Sequence, residues 1–529
     1  MINKPPSIKL LAVESGISAL GFRKIIGIAR VLNPESGVYF LPVDNLYSFT
    51  SHLFSSRKSD FGDTDIDAIV NEFSNANLVC FSSMSPAAGY VEKIARKIKD
   101  KNPNVFLLWG GAHCTLCPEE AIKHVDAICI GEGEKTFKRF YEAFTINGDF
   151  TSTPGMWFRT NKGIIKNRTG DLCDTEELNV LPHPFMGGDC KIYHHGSREF
   201  RAFRYSDYTR FNGLAYRTVW TRGCPFDCSF CANDAFIELD KGYQRIRFPS
   251  VKYIISEIEN ALACYPFIST IGFYDDNFIA VPVEIIREFA GEYTRKIGLP
   301  FAVFGLSPQC ITEEKIEVLA NAGMNRIRMG IQSGNPKSLE LFNRKTSTEK
   351  IRSTVSVLAK AAKKFKMIPP AYDIISDNPV ENRQDVINTL EFINTLERPF
   401  SLTVFSLRVF PKTRLWEYFE KNPEIDIRKK NSSYLDTEKN MANILLHILS
   451  ICKPPEKLFK YLLGFVNEKK KQNKIITAFY SISKLMYLSN RALWHMRKID
   501  FTTIVGGWLY FGWKMKLVPA NSNRAKNNV

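Results

Sequence analysis

The sequence predicts an α/β protein with three structural parts. A doubly wound parallel sheet comes first, a second parallel sheet forming a partial barrel of six βα units follows, and an α-helical region ends the chain. Two series of short apolar runs alternating with amphipathic segments predict the sheets, and apolar residues at helical spacing predict the last part. Because 529 residues exceed one ordinary core, we expect regions at 1–149, 150–213, 214–420 and 421–529.

The first region, 1–149, contains five apolar runs with the length of β-strands. Amphipathic stretches such as 89–99 and 134–144 separate some of them, which is typical of a parallel sheet with helices on both faces. Ligands of such sheets bind at the carboxyl ends of the strands. The predicted strands are 9–13, 38–43, 78–82, 105–110 and 127–130.

The second and third regions differ in composition. Residues 150–213 mix Gly, Pro, Thr and Asn with strand-like runs at 155–159 and 164–167, so we expect a small hairpin and a linker. The third region, 214–420, returns to the strand and helix alternation of a partial barrel, whose chemistry collects at the carboxyl ends of its strands. One strand leads into Thr221, and the others are 270–274, 301–305, 326–331, 371–375 and 402–407.

Three cysteines lie in one short loop at the start of this third region. Cys224, Cys228 and Cys231 are four and three positions apart, a spacing that can bind three irons of a cubane iron-sulfur cluster and leave the fourth iron open. A disulfide framework is disfavoured because three cysteines cannot all pair and no secretory signal is seen. A structural zinc site needs a fourth Cys or His, and the loop offers only Asp227.

This loop resembles the CxxxCxxC signature of the radical S-adenosylmethionine (SAM) enzymes, in which an aromatic residue, here Phe230, precedes the last cysteine. The resemblance implies that SAM chelates the open iron and that one electron cleaves SAM to a 5'-deoxyadenosyl radical. It also implies that Asp275 and Asp276 hold the amino group of SAM, and that Gly330 and Gln332 approach SAM closely.

Purely structural roles for the residues at these strand ends remain open. Asp276 or Asn277 could cap the following helix instead of binding SAM. Arg326 and Arg328 could contact the SAM carboxylate, or they could simply be paired with acids or solvated.

The first region resembles the cobalamin-binding domain, in which a Ser-x-Leu strand end precedes a Gly-Gly pair by about one βα unit. Here Ser82 and Ser83 come before Met84, and Gly110 and Gly111 follow. The resemblance implies that the two serines and two glycines border the corrin ring. Unlike one branch of that family, the stretch 14–21 has no histidine, so a cobalt ligand from this loop is not expected.

Three further residues close to the glycine pair are candidates for ligand binding. His113 could approach the corrin, although an isolated loop histidine is more often a solvent-facing or capping residue. Cys114 and Cys117 form a CxxC pair that we expect to be unligated thiols.

The C-terminal region carries most of the positive charge. The chain has a net charge of +16, and residues 451–529 hold fifteen Lys and Arg against three acids, which favours an anionic surface or partner for this region. Helices are predicted at 441–451, 458–465 and 475–488. Their aromatic residues either pack on the barrel beneath solvated lysines, or the helices lie on an anionic bilayer or over a lipid-like substrate. No stretch makes a convincing membrane span.

These resemblances imply an enzyme with a 4Fe-4S cluster, SAM and cobalamin that methylates an unactivated carbon of a lipid-like or natural-product substrate. One alternative is cobalamin-dependent radical cyclisation, ring contraction or rearrangement without methyl transfer, and another is a non-catalytic cobalamin or redox sensor. We expect an electron donor such as flavodoxin or ferredoxin as a partner, and no nucleic acid. Twelve cysteines without an export signal predict a cytoplasmic protein, with peripheral contact at the inner membrane face as an option.

Overall fold

Two β-sheets organise the structure, a computed structural model that describes residues 6–44, 61–425, 437–466, 474–498, 500 and 504–518. The first sheet has nine strands and the second has six. The strands of the first sheet are β1 (Ile8–Ser15), β2 (Gly37–Asp44), β3 (Leu78–Ser83), β4 (Phe106–Gly110), β5 (Ala127–Cys129), β6 (Met156–Thr160), β7 (Gly163–Lys166), β8 (Lys191–His194) and β9 (Glu199–Ala202).

The centre of the first sheet has the predicted doubly wound topology. Strands β1 to β5 are parallel and lie in the order β2-β1-β3-β4-β5, which is the flavodoxin-like arrangement. Along β1, Leu10 and Ala12 face one side, whereas Leu11 and Val13 face the other, and all four are buried. Burial on both faces explains why this strand is a continuous apolar run without alternation.

Helices cover both faces of this sheet. The face of Leu11 packs against helices Asp63–Phe73 and Ala88–Lys101. The face of Leu10 packs against helices Leu20–Leu32 and Gly133–Thr145, and its apolar cluster continues into the barrel. The two sheets therefore share one hydrophobic core.

The region 150–213 is more than the hairpin and linker that we expected. The predicted hairpin, β6 and β7, adds antiparallel to β5, and a second hairpin, β8 and β9, extends the opposite edge through β2. The full strand order is β7-β6-β5-β4-β3-β1-β2-β8-β9. The second hairpin escaped prediction because four-residue strands are too short to show a periodic pattern.

The second sheet confirms the predicted partial barrel. Its six strands are all parallel, and they lie side by side in sequence order. Its carboxyl ends therefore form one continuous rim. The strands are β10 (Ala215–Thr218), β11 (Thr270–Phe273), β12 (Phe301–Leu306), β13 (Met324–Gln332), β14 (Ala371–Ser376) and β15 (Ser401–Ser406).

The barrel helices begin at side chains suited to capping. Ser250, Thr312, Ser347 and Asn382 each accept a hydrogen bond from a backbone N–H in the first turn of the helix that follows. The remaining α-helices up to residue 425 are Ala112–Leu116, Pro118–Ala121, Thr175–Val180, Tyr205–Asn212, Ala232–Leu239, Val251–Cys264, Val283–Lys296, Glu313–Asn321, Pro336–Leu341, Thr348–Lys364, Arg383–Asn394 and Arg414–Lys421, and short 3-10 turns occupy Ser85–Ala87, Lys241–Gln244, Phe278–Ala280 and Pro308–Cys310.

Four helices are described after the barrel, with gaps between some of them: Met441–Ile451, Glu456–Leu463, Lys474–Arg497 and Trp508–Lys514. The first lies along β15, where the Ser450 hydroxyl accepts a hydrogen bond from the Leu402 N–H at 2.9 Å. The third continues well beyond its predicted end at 488, and in the additional turns the Arg491 guanidinium donates a hydrogen bond to the Tyr487 hydroxyl at 2.6 Å. Residues 501–503, which precede the fourth helix, lie outside the described residues.

We predict that Phe289→Ala lowers the free energy of unfolding by about 3–5 kcal/mol. The Phe289 ring is fully buried, stacks on Trp220 at 5.0 Å between centroids, and contacts Phe273 and Phe278. Urea unfolding of the apo protein measures the loss. The exposed Ile146→Ala should change the free energy by less than about 0.5 kcal/mol, and an equal loss in both variants would contradict the burial argument.

Candidate active site

The loop that carries the three cysteines follows β10 and is held by backbone hydrogen bonds. Arg222 and Arg247 exchange N–H to carbonyl bonds of 2.8 and 3.0 Å, and the Cys224 N–H donates to the Tyr243 carbonyl at 3.0 Å. Gly223 between them has a φ of +86°, and a Cβ there would lie 2.4 Å from the Arg245 carbonyl oxygen. The glycine is therefore required for this close backbone approach.

The three thiols lie close together and partly buried. Burial, with a smaller contribution from Asp276 and the neighbouring thiols, raises the pKa of Cys224 and Cys231 to about 12. Such thiols need positive charge to become thiolates, which iron supplies. Within the described residues, no three His, Cys, Asp or Glu side chains converge as for a single metal ion. A cubane cluster spreads its cysteines over three irons, so this donor set fits a cluster.

Later parts of the barrel hold the second half of the loop. The Phe230 ring packs on Phe342 at 5.2 Å, and the Ser229 hydroxyl donates to the Leu341 carbonyl at 2.7 Å. Arg344 reaches the loop too, with Nη1 3.4 Å from the Cys228 Sγ. Sequence reasoning missed Arg344, because it lies 116 positions from Cys228 and no local motif marks it.

The two acids after β11 are placed differently. Asp275 is buried, and its Oδ1 accepts a hydrogen bond from the Thr221 N–H at 2.5 Å, so it anchors the start of the cysteine loop. Its Oδ2 is buried and has no protein partner among the described residues. Asp276 is exposed and acts electrostatically on Cys224 and Cys231, which suits a carboxylate that meets the SAM amino group.

The capping alternative for these strand ends does not hold. Asn277 occupies the N-cap of the next 3-10 turn, but no side chain makes the capping hydrogen bond. Instead, the Asn277 Nδ2 lies 3.6 Å from the Cys310 Sγ, and its Oδ1 is buried without a protein partner in the described structure. Both Asp275 and Asn277 thus keep an acceptor oxygen available in the site.

On β13, Gly330 and Gln332 sit at a bulge in the pairing with β14. Gln332 has a φ of +72°, and its side chain folds back over Gly330, where a Cβ would meet it. The strand's arginines are both paired with acids: Arg326 with Asp500, and Arg328 with Asp373 at 2.7 Å. SAM contacts of Gly330 and Gln332 stay a prediction.

At the first sheet, the two serines after the third apolar run face opposite sides. The Ser82 hydroxyl donates to the Glu14 carboxylate at 3.2 Å, at the ends of the neighbouring strands β3 and β1. Ser83 is buried on the other face, where its hydroxyl accepts from the Trp109 indole at 3.0 Å. The geometry leaves Ser82 available to a ligand at the strand ends and gives Ser83 a packing role.

The two glycines after β4 differ in how closely other backbone atoms approach them. A Cβ on Gly110 would make only ordinary contacts, whereas Gly111 has a φ of +101° and a Cβ there would lie 2.6 Å from the Ser83 carbonyl oxygen. His113 is buried, stacks on Trp109 at 5.0 Å and bonds Ser85 through Nδ1, so it is neither solvent-facing nor a simple cap. Desolvation lowers its pKa, which favours the neutral imidazole.

The CxxC pair beside His113 contains free thiols, as do all twelve cysteines. Cys114 is fully buried, and its Sγ bonds to the Trp109 carbonyl at 3.3 Å. Cys117 is partly exposed. Neither has a disulfide partner, and the expectation that both are unligated thiols stays a prediction.

A buried ion-pair network joins the end of β5 to the cysteine loop. The Arg222 guanidinium lies 2.6 Å from the Glu134 carboxylate and 3.4 Å from the Glu132 carboxylate, and Arg247 also pairs with Glu132. These four side chains are between 8% and 13% exposed. The Lys24 ammonium adds a bond to the Val219 carbonyl at 3.3 Å. The carboxyl ends of the two sheets therefore face one another.

Comparison with known proteins agrees with this geometry. The family model of the Radical SAM superfamily matches residues 218–393, and that of the B12 binding domain matches residues 51–140. The first match contains the cysteine loop and strands β11 to β14, and the second contains β3, β4 and β5.

The individual relatives include proteins named as methyltransferases and proteins named as cyclases. "Uncharacterized methyltransferase PH0819" of Pyrococcus horikoshii is 26% identical over 67% of this chain and 72% of its own length. "Anaerobic magnesium-protoporphyrin IX monomethyl ester cyclase" of Rubrivivax gelatinosus is 22% identical over 55% of this chain and about half (52%) of its own length. The radical SAM methyltransferase TsrM from Kitasatospora setae shares the fold with a TM-score of 0.60 and 15% identity, over 79% of this chain and 76% of its own.

Fold and site together define a radical SAM enzyme with a B12-binding domain, which uses a 4Fe-4S cluster, SAM and cobalamin. Its two matched domains are those that cobalamin-binding radical SAM enzymes combine, and the relatives that resemble it include proteins named as methyltransferases.

We predict that Gly223→Ala abolishes most of the iron binding of the reconstituted protein, because a Cβ would clash with the Tyr243 and Arg245 carbonyls at 2.6 and 2.4 Å. Iron and sulfide content and the cluster's visible absorbance measure the effect under anaerobic conditions. Gly89→Ala is the matched control, since nothing lies within 4 Å of a Cβ there. Normal iron content in Gly223→Ala would show that the loop does not need this geometry.

We also predict a pH-dependent difference in stability between the wild type and Asp275→Asn, both without cofactors. Burial raises the pKa of Asp275 from 3.8 to about 7. The folded state thus binds this proton more tightly than the unfolded state, so the stabilisation is complete below about pH 4 and is lost as the pH rises to about 7.

Asparagine keeps an acceptor for the Thr221 N–H but cannot titrate. Relative to the variant, the wild type should lose at least about 1 kcal/mol of unfolding free energy between about pH 4 and pH 7, measured by urea unfolding. Parallel pH profiles of the two proteins would contradict a raised pKa at Asp275.

Proposed function

We propose that the protein transfers a methyl group from SAM to an unactivated carbon of a small lipid-like or natural-product molecule. The observation that carries this proposal is the buried contact between the strand end at Glu134 and the cysteine loop at Arg222. Because the carboxyl ends of the strands are where ligands of both folds bind, a substrate held between the two rims reaches both cofactors. When bound, the cofactors supply a methyl group and a carbon-centred radical.

The chain's own residues prepare this space. Cys224, Cys228 and Cys231 would hold the cluster, and Asp276 would orient the amino group of SAM beside it. Asp275 fixes the loop through Thr221. The first helix after β4, Ala112–Leu116, contacts helix Ala232–Leu239, which follows Cys231, so the cysteine loop and the end of β4 lie on the same side of the protein.

A small-molecule substrate is supported by the neighbour TsrM, whose structure is described as having a tryptophan substrate bound. The reaction also requires one electron per radical, and we propose that a small redox protein such as flavodoxin or ferredoxin delivers it. The cysteine loop is accessible for this purpose, since Cys224 and Cys231 are only partly buried.

Radical cyclisation without methyl transfer is the second candidate. It keeps the same cofactors and the same residues around them, and it is favoured by the similarity to a relative named as a cyclase. The arrangement of the two rims serves both reactions equally, so the distinction must come from the products.

Anaerobic turnover with labelled SAM tests the proposal. The protein is reconstituted with iron, sulfide and cobalamin and given SAM with a deuterated methyl group and a strong reductant. We expect S-adenosylhomocysteine and 5'-deoxyadenosine together, with the label in the cobalamin fraction. Cys228→Ser should lose the deoxyadenosine, because one cluster iron loses its ligand.

Deoxyadenosine without S-adenosylhomocysteine would favour cyclisation and contradict methyl transfer. Ile146→Ser, an exposed position away from both rims, is the control and should give both products.

A further inference from the structure

The helix Lys474–Arg497 is inverted relative to an ordinary surface helix. Its buried side chains carry polar groups and bond to the rest of the protein: Tyr487 donates to the Leu402 carbonyl at 2.8 Å, Ser483 lies 3.0 Å from the His447 Nδ1, and the His495 Nδ1 lies 2.8 Å from the Asp500 carboxylate. In an ordinary surface helix the apolar stripe faces the core and the polar face meets water, which is the reverse of this arrangement.

The outward face of this helix is apolar. Phe479 is 59% exposed and Met486 is 57% exposed, although both are large hydrophobic side chains. Their spacing follows the helical repeat, so they form one stripe. The exposed apolar residues of the helix are Ile475, Phe479, Ile482, Leu485, Met486, Leu493 and Met496.

The helices before and after it in the sequence also expose apolar side chains. Tyr461 on helix Glu456–Leu463 is 65% exposed, and Trp508 on helix Trp508–Lys514 is 61% exposed. The sequence left open whether the aromatic residues of this region pack on the barrel. Trp513 does so, because its ring lies 5.8 Å from that of Phe267, whereas Trp508 is exposed. Soluble surfaces rarely display so many large apolar groups without a partner.

The charge on these helices is positive. Lys457, Lys474 and Lys514, one on each of the three helices, are exposed. Two of the region's three acids are already neutralised, since Glu456 pairs with Lys460 at 2.6 Å and Asp500 is buried against Arg326. The third, Glu468, lies outside the described residues. The described parts of these three helices thus combine exposed large apolar groups with exposed lysines.

We propose that this surface docks the protein on an anionic lipid bilayer, with the helix Lys474–Arg497 lying in the plane of the membrane interface. Apolar side chains enter the region between headgroups and acyl chains, while lysines reach the anionic headgroups. None of the described helices is both long enough and apolar enough to pass through a membrane, so the contact is peripheral.

Charge favours a bilayer over a second copy of the chain as the occupant. Two copies that met through this surface would each contribute a positively charged region, and like charges repel. A bilayer with anionic lipids covers the same apolar stripe and neutralises the lysines. The proposal does not depend on the reaction, because docking needs neither cofactor nor substrate.

Vesicle flotation of the full-length protein tests the proposal. Vesicles of phosphatidylcholine alone are compared with vesicles that also contain phosphatidylglycerol. We expect binding to the anionic vesicles and at least fivefold less to the neutral ones. Ile482→Ser combined with Met486→Ser should lower binding to anionic vesicles at least fivefold without unfolding the protein, because both side chains point outward.

The matched control is Ile146→Ser with Val180→Ser, two apolar residues exposed on the N-terminal half, which should bind vesicles like the wild type. Circular dichroism and urea unfolding confirm that both double variants fold. Absence of binding to either vesicle would overturn the proposal, as would binding that the Ile482 and Met486 substitutions leave unchanged. A dimer in analytical ultracentrifugation that these two substitutions dissociate would assign the surface to a second copy instead.

Discussion

The arrangement of the active site depends on a few charges buried between the two sheets. Arg222 belongs to the cysteine loop, and Glu132 and Glu134 begin the helix that follows β5. A buried arginine needs acceptors that compensate its charge, here two acids, and removing one partner of such a pair usually costs about 3–5 kcal/mol. Because the cysteine loop supplies the arginine and the first sheet supplies the acids, moving one relative to the other would leave a buried charge without its partner.

The same contact explains why two separate folds form one reaction chamber. Parallel strands collect their loops at one edge, so each sheet offers a rim where ligands can bind. The shared hydrophobic cluster packs the first sheet against the barrel, and the ion pairs at Arg222 and Arg247 fix which edges meet. Apolar burial provides most of the stability, whereas the directional ion pairs provide the registration.

Much of this architecture could be predicted from the sequence. The main strands and helices of both sheets stand within a few residues of the expected ranges, because fully buried parallel strands appear as continuous apolar runs. The cysteine loop was identifiable because its ligands are local in sequence. Arg344 and the partners of Arg222 were not, since they come from distant segments, and pairing between distant charges leaves no local pattern.

The C-terminal region was predicted least well. Its helices were expected from apolar periodicity, but periodicity alone does not tell which face is turned inward. For the helix Lys474–Arg497 the polar residues face the protein, because Leu402, His447 and Asp500 offer them partners that no sequence pattern announces.

The central claim is that the two cofactors act in one space between the rims. Electron paramagnetic resonance of the reconstituted protein, with cobalamin in the cob(II) state, tests it most directly. Reduction of the iron-sulfur cluster should broaden the cob(II)alamin signal or speed its relaxation, because two paramagnets in one chamber interact. A cob(II)alamin signal that stays the same whether the cluster is oxidised or reduced would contradict the account.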